Sequence, residues 1–594
     1  MRNLFYLVAL ITYTATATSQ NISYEISFEN AVHHEAKINI SYSNIKKDSF
    51  SVRMSRSSPG RYALHEFAKN VYGFKATDSK GNTLKVIRPN NHEWKIIGHD
   101  GTINIQYTLY ANRGDGTYAQ IDETHAHLNI PATFMFAPYL ENEPVQVKFD
   151  LREDLNWKIA TQLPLVSRNT YSAPNLQYFM DSPTEISNFS LREFKVGSQN
   201  VRLALHHNGT EQEVDTYFEK VKKVVLVEKE VFGELPKFDY GTYTFLACYV
   251  PNASGDGMEH RNSTVLTSTR SLANGGMERN IGTVSHEFFH AWNVERIRPQ
   301  SLEPFNFEEA NMSGELWFAE GFTSYYTNLI LCRAGLITPK AYVEGLAGGF
   351  NYVWNSNGRQ FFNPIEMSYQ APFVDAATSV DPVNRDNTFI SYYSYGSVLG
   401  LALDLSLLQE NLSLDDYLKM VWQHFGENET PYTIEDLHQS LNTYAGKAFG
   451  DAFFNSYIEN SEMPGFKTLF ESVGVTLQQN TNEPYFGASV GITEEGTAII
   501  QRNTSINSAA YNAGLEKGDV LTSINGNGFE KGQKFIDIIH QYKVGEEIQI
   551  NYKRFAKEKS TIVTLDASPK YEIFINETAS KEALTKRKAW LKSE

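Results

Sequence analysis

A chain of 594 residues has room for about three or four domains, each able to bury its own core. A formal charge of -16 with no basic run argues against nucleic acid or an anionic membrane surface as partner, and 13% aromatic residues, mostly Tyr and Phe, argue against a disordered chain. Only two cysteines occur, Cys248 and Cys332, too few for a cysteine-based zinc site; both lie in apolar runs and read as buried free thiols.

In chain order, residues 1–19 have the form of a signal peptide. Arg2 supplies the positive end, Leu4 to Tyr13 the apolar stretch and Ala15-Thr16-Ala17 the small-residue cleavage site. The stretch is too short to remain as an anchor, so export without a membrane anchor is expected. Residues 20–196 read as an N-terminal β-sandwich: Ser23 to Phe28, Ala36 to Tyr42, Thr102 to Leu109 and Val145 to Leu151 are strand-like and separated by turn residues.

Residues 197–465 change pattern. Tyr217, Val221, Val224, Val225 and Val231 recur at helical spacing within Asp215 to Phe232, and Thr242 to Val250 reads as a strand. Helices are predicted at about Thr283 to Val294, Glu315 to Ala334, Tyr395 to Gln409, Ser413 to Phe425 and Thr433 to Tyr444. Ser413 and Thr433 are good N-caps, with Asp416 and Asp436 three residues on. The expected class is multidomain α+β, with a helical lobe following the strands.

The chemistry concentrates in His286-Glu287-Phe288-Phe289-His290. On a helix the two histidines share a face and can hold one metal ion, with Glu287 beside the open coordination position. The flanking Ile281, Val284, Phe288, Phe289 and Trp292 predict a buried helix, and burying two histidines and a glutamate without a common partner is costly. Glu320, in Trp317-Phe318-Ala319-Glu320-Gly321, is the expected third ligand; its apolar setting favours it over Glu295, Glu303, Glu308, Glu309 and Glu315. A His-His-Glu set implies zinc, and Glu287 then acts as general base. Tyr392-Tyr393-Ser394-Tyr395-Gly396 supplies candidate phenols for an oxyanion, although an aromatic cluster is more often core.

After residue 466, Tyr485 to Gly491, Ala509 to Leu521 and Ile524-Asn525-Gly526 resemble a PDZ domain, which implies a peptide ligand bound along a sheet edge over residues 466–577. Residues 578–594 read as a charged tail, a surface helix or unstructured. The run Thr283 to Pro299 (TVSHEFFHAWNVERIRP), the Trp-x-x-Glu-Gly element and the terminal PDZ-like module together resemble the glycyl aminopeptidase family of zinc metallopeptidases. The resemblance implies a thermolysin-like catalytic domain behind a β-rich N-terminal domain. It also implies that Gly257-Met258-Glu259 is the edge strand gripping the substrate, with Glu259 pairing to a free α-amino group, and that Tyr393 stabilises the oxyanion.

Two departures leave alternatives open. Tyr395 replaces the lysine of the family's Tyr-x-Lys-Gly element, so Tyr392 and Tyr395 compete with Tyr393; Glu278, in a similar Gly-Gly-Met-Glu string, competes with Glu259. His125, His127, His206 and His207 lack a third ligand of obvious spacing and read as core or solvated histidines. The expected activity is removal of small N-terminal residues, Gly- or Ala-like, from peptides with a free N-terminus. An endopeptidase of the same chemistry is the alternative, and a non-catalytic PDZ-type peptide-binding protein a more distant one.

Overall fold

Alternation of apolar and polar residues organises the N-terminal region of the computed structural model, which describes residues 21–374 and 383–592. The expected signal peptide lies outside the described residues. Ile38, Ile40 and Tyr42 of the strand Glu35–Ser43 point inward, while Lys37, Asn39 and Ser41 point out. The four strands anticipated from sequence lie side by side. Asn21–Ser27 pairs in parallel with Val145–Asp150 and antiparallel with Glu35–Ser43, which pairs in turn with Ile103–Tyr110. They form the centre of a seven-stranded sheet, and a four-stranded and a three-stranded sheet close over the same core.

The next unit is a five-stranded mixed sheet in the order Ser190–Val196, Gln199–His207, Thr242–Tyr249, Ser263–Ser268, Asp256–His260. The three inner strands are parallel; Asp256–His260 runs antiparallel on the edge. One face packs on the helix Glu211–Phe232, which starts at a Thr210–Glu213 capping box, and on the helix that carries the His-Glu-x-x-His string. The other face meets the N-terminal domain, where Ala204 and Leu246 pack on Ala160 and Phe189.

Several boundaries differ from expectation for identifiable reasons. The motif helix spans Gly276–Phe289, with His290 as its C-cap, instead of Thr283 to Val294. It stops because the carbonyl of Asn293 is taken by His290 Nδ1 and Val294 adopts φ 97°, turning the chain back so that its N–H donates to Ile297 O. The predicted helix from Glu315 to Ala334 is broken at Glu320 into Leu316–Ala319 and Gly321–Arg333. The tyrosine-bearing helix begins at Tyr392, three residues early, and runs to Gln409. Ser413 and Thr433 cap their helices as expected.

The PDZ-like five-stranded sheet, Val490–Ile492 to Lys557–Thr564, has its own core. Its flanks belong elsewhere. Val475–Gln479 pairs with Tyr571–Ile575, and Phe466, Val475 and Ile573 join the catalytic core, so the module is held on a two-stranded stalk. Beyond it the charged tail forms the helix Lys581–Leu591 docked on the catalytic lobe: Trp590 is buried and its Nε1 donates to Tyr325 Oη at 2.8 Å. Among the described residues no helix is long and apolar enough to cross a membrane.

Candidate active site

His286 and His290 project from the last turn of the motif helix toward Glu320, which sits at the break between its two helices. His290 Nε2 is 3.2 Å from His286 Nε2 and 3.2 Å from Glu320 Oε2; His286 Nε2 to Glu320 Oε2 is 3.7 Å. A tetrahedral zinc site with bonds near 2.0–2.1 Å separates adjacent ligand atoms by about 3.3 Å, so the donor triangle fits such an ion. The outer partners fix both tautomers. His290 Nδ1–H donates to Asn293 O at 2.7 Å. Thr327 Oγ1 gives its own proton to Thr323 O and therefore accepts from His286 Nδ1–H at 3.1 Å. Each Nε2 then turns a bare lone pair toward the shared point.

Glu320 is oriented from outside the catalytic unit. Tyr62, in the N-terminal domain, donates to Glu320 Oε1 at 2.7 Å and leaves Oε2 to the histidines. Sequence reasoning missed Tyr62, since no local pattern links it to a residue 258 positions away. Asn293 ties the turn after the motif helix to the ligand segment, donating to Phe318 O, Ala319 O and Thr323 Oγ1. Buried Arg296 clamps the same turn to Arg261 O and Asn262 Oδ1. Two glycines allow the ligand segment to approach the tyrosine helix: a Cβ on Gly321 would strike the Gly396 backbone, and one on Gly396 the Trp317 carbonyl.

Glu287 and Glu259 bring further negative charge. A carboxylate oxygen of each lies with a His290 ring nitrogen in a group whose members are all within 4.8 Å. Burial pushes the Glu287 carboxyl well above the usual carboxylate range against the pull of His290, and Glu259 and Glu320 push it the same way. Burial likewise raises Glu259, with Glu320 adding to the effect. Glu320 is held below the usual range because the two imidazoles outweigh its burial. Glu287 Oε2 is buried without a hydrogen-bond partner. Glu320, Glu259 and Glu287 in turn push His290 up to about 10 against its burial, so the cluster draws in positive charge, and a divalent cation on the His286–His290–Glu320 triangle would supply it in place of that proton.

Gly257 lies where only glycine fits, since a Cβ would collide with the Glu287 carboxylate and Thr283. Beyond it the edge strand is covered. Met258 and Glu259 are buried under Gly60, whose loop is pinned by the Arg61–Asp256 ion pair. What remains is a cavity of 250 Å³ lined by Gly60, Arg61, Tyr62, Asp256, Gly257, His286, Glu287, Tyr392 and Tyr393. The Tyr393 ring is 6.0 Å from that of His286. Burial and the nearby Glu320 raise its hydroxyl far above the usual phenol range, so it stays in the donating form. Tyr395 points away, toward Ser461 and Arg359, and Glu278 faces Lys220 on the surface. The competing carboxylates are engaged elsewhere: Glu315 by Ser301 and Ser313, Glu303 by Arg298, Glu308 by Arg53.

A second groove of 380 Å³ lies in the PDZ-like domain between Tyr485–Val490 and the helix Phe535–Ile539.

An H-E-x-x-H helix with a glutamate from the following helix, on an α+β scaffold, is the architecture of a metallopeptidase. Family models match the chain in three places: the Peptidase M61 N-terminal domain over residues 23–188, M61 glycyl aminopeptidase over 279–399 and a PDZ domain over 472–565. Two of the three are models of M61 glycyl aminopeptidase domains, the family that the sequence resembles. The structure of an aminopeptidase N family protein from Idiomarina loihiensis is similar over 96% of this chain and all of that one, with a TM-score of 0.84 and 24% identity. An M1 zinc metallopeptidase from Deinococcus radiodurans aligns over 75% of this chain and 96% of its own, at a TM-score of 0.43 and 12% identity. A probable periplasmic serine endoprotease, DegP-like, from Marinomonas sp. is 32% identical over 97 residues; the chain spans about a fifth of that relative's length.

Proposed function

We propose that the protein is an exported zinc aminopeptidase that removes small N-terminal residues from peptides. The observation that carries this reading is the convergence of Glu259, Glu287 and Glu320 on His290, beside the cavity that His286 and Glu287 line. Three carboxylates need three positive charges. A zinc ion supplies two, and the α-ammonium of a peptide supplies the third, at Glu259. The loop Gly60–Tyr62 lies over Met258 and Glu259 of the edge strand, which favours an exopeptidase reading, and 250 Å³ suits a small side chain.

Zinc held by His286, His290 and Glu320 would supply the Lewis acidity that activates water and polarises the scissile carbonyl. Glu287 takes the proton as the water oxygen bonds to the carbonyl carbon, then returns it to the peptide nitrogen as the C–N bond breaks. Tyr393 Oη donates to the carbonyl oxygen as negative charge develops on it. Glu259 holds the ammonium, and the backbone of Gly257 and Met258 aligns the peptide.

We assign residues 1–19 to export, 20–196 to the N-terminal domain, 197–465 to the peptidase, 466–577 to the PDZ-like domain with its stalk, and 578–594 to the tail. The groove beside Phe535 suits a C-terminal peptide. The discriminating experiment compares glycyl and alanyl chromogenic substrates with their N-acetylated forms, with and without a chelator, in the wild type and Glu259→Gln. Chelator-sensitive hydrolysis confined to free N-termini, with a raised KM in the variant, is expected. Equal cleavage of the acetylated substrates would establish an endopeptidase instead.

A further inference from the structure

Where the N-terminal domain meets the catalytic sheet, a second cluster of metal-binding side chains is buried. His125 and Glu185 come from neighbouring strands of the four-stranded N-terminal sheet, where His127 pairs with Glu185. His206 and Cys248 are register partners on parallel strands of the catalytic sheet. They stand two residues beyond Ala204 and Leu246, on the face that packs against the N-terminal domain. All four side chains are buried.

His125, His206 and Cys248 offer ligand atoms that all lie within 4.8 Å of one another, and Glu185 Oε1 adjoins both histidines. His206 Nδ1 is 3.2 Å from Cys248 Sγ and 4.0 Å from Glu185 Oε1; His125 Nδ1 is 3.7 Å from the sulfur and 3.4 Å from that oxygen. Tetrahedral zinc with nitrogen or oxygen at about 2.0–2.2 Å and sulfur at about 2.3 Å places neighbouring ligand atoms about 3.3–3.6 Å apart.

Gln120 Nε2 donates to Asn252 O at 3.0 Å, so its Oε1 is the atom facing His125 Nε2 at 3.2 Å, and oxygen can only accept. His125 therefore carries a hydrogen on Nε2 and turns Nδ1 into the cluster, where Cys248 and Glu185 favour positive charge on the ring against its burial. Glu185 Oε1, also aimed there, is buried without a hydrogen-bond partner, while Oε2 lies 3.3 Å from His127 Nδ1. A buried carboxylate needs a positive partner, which a proton on His125 or a metal cation can supply, and a cation also engages the Cys248 sulfur and the His206 nitrogen. A dication with one thiolate and one carboxylate is neutral, and soft sulfur with two imidazoles selects zinc over calcium or magnesium.

We infer that His125, His206, Cys248 and Glu185 form a second, structural zinc site that fastens the N-terminal domain to the catalytic sheet. Cysteine count alone excludes a cysteine-rich site, but this mixed set needs one thiolate. All four positions are filled by protein, unlike the open His286–His290–Glu320 triangle. Ligands from both domains also connect the site to the active centre. The strand holding His125 ends at Leu128, and the next residue, Asn129, donates to Ser58 Oγ at 3.0 Å, in the loop that carries Tyr62.

Metal analysis of the purified full chain after dialysis tests this, with two zinc ions per chain expected. His286→Ala/Glu320→Gln should keep one, and Cys248→Ser or His206→Ala should lose one and melt at lower temperature. Cobalt reconstitution gives a readout that does not depend on the cluster variants folding. A thiolate-to-cobalt charge-transfer band should appear in wild type and in His286→Ala/Glu320→Gln. One zinc per chain that vanishes in that double variant, or a cobalt spectrum without the thiolate band, would overturn the assignment.

Discussion

Tyr62 of the N-terminal domain donates a 2.7 Å hydrogen bond to Glu320 Oε1, and this contact spans 258 residues of sequence to orient the carboxylate proposed as third metal ligand. The N-terminal domain thus completes the active site as well as covering it. Removing the hydroxyl while keeping the ring, in Tyr62→Phe, frees Oε1 to rotate. Outer partners of metal ligands are worth about 10–100-fold in affinity, so zinc should be lost to a competing chelator about that much more readily. A chelator titration identical to wild type would reduce Tyr62 to a packing role.

The three adjacent tyrosines should separate by function. Tyr393 lines the cavity 6.0 Å, ring to ring, from His286, whereas Tyr395 lies in the helical core beside Arg359. Losing one oxyanion donor costs about 10²–10³ in kcat. Tyr393→Phe should show that loss with KM little changed, and Tyr395→Phe should keep wild-type kinetics. Tyr392 stacks on Tyr393 at 4.8 Å, so Tyr392→Phe keeps the stack and should retain most of kcat. A fall in kcat for Tyr392→Phe as large as for Tyr393→Phe would shift the donor role.

Local chemistry was legible in the sequence and long-range assembly was not. The His286–Glu287–His290 spacing is a property of one helix, and Glu320 stands out because a carboxylate in an apolar run needs a partner. Strand alternation likewise exposed the N-terminal sheet. Helix ends were misjudged where a side chain takes a backbone group, as His290 does with Asn293, because hydrophobic periodicity carries no record of such a bond. Tyr62, and the pairing of His125 with His206 and Cys248, depend on two domains meeting. The charges of the tail point to a surface segment, but the buried Trp590 and Leu591 are what dock it on the catalytic lobe.

Close packing of Gly321 on Gly396 sets the distance between the ligand segment and the tyrosine helix. In Gly396→Ala the new methyl group meets the Trp317 carbonyl, which is backbone and cannot swing aside. Overpacking of this kind costs about 1–3 kcal/mol, and here the displaced elements carry Glu320, Tyr392 and Tyr393. A lower melting temperature together with a fall in kcat/KM is expected. Gly282→Ala on the motif helix, where a Cβ meets nothing within 4 Å, should keep kcat/KM and melt no lower than wild type. Equal behaviour of the two variants would remove the close approach as a determinant of the site.

Asp404 gives the catalytic lobe a pH-dependent stability. Its Oδ2 accepts from Tyr325 Oη at 2.6 Å, and Tyr325 in turn accepts from Trp590 of the docked C-terminal helix. Burial, reinforced by Asp415 and opposed by Arg333, pushes the Asp404 carboxyl up from 3.8 to about 6. Because the folded value lies above the unfolded one, the favourable contribution is complete below about pH 4 and is lost as pH rises through about 6. The rise from 3.8 to about 6 corresponds to about 3 kcal/mol of unfavourable ionisation at neutral pH. Asp404→Asn keeps an oxygen for Tyr325 without the charge, so it should melt higher than wild type at pH 8 and no higher at pH 4. Thermal melts of both proteins across that range decide the matter: a constant difference between them would mean that Asp404 does not titrate there.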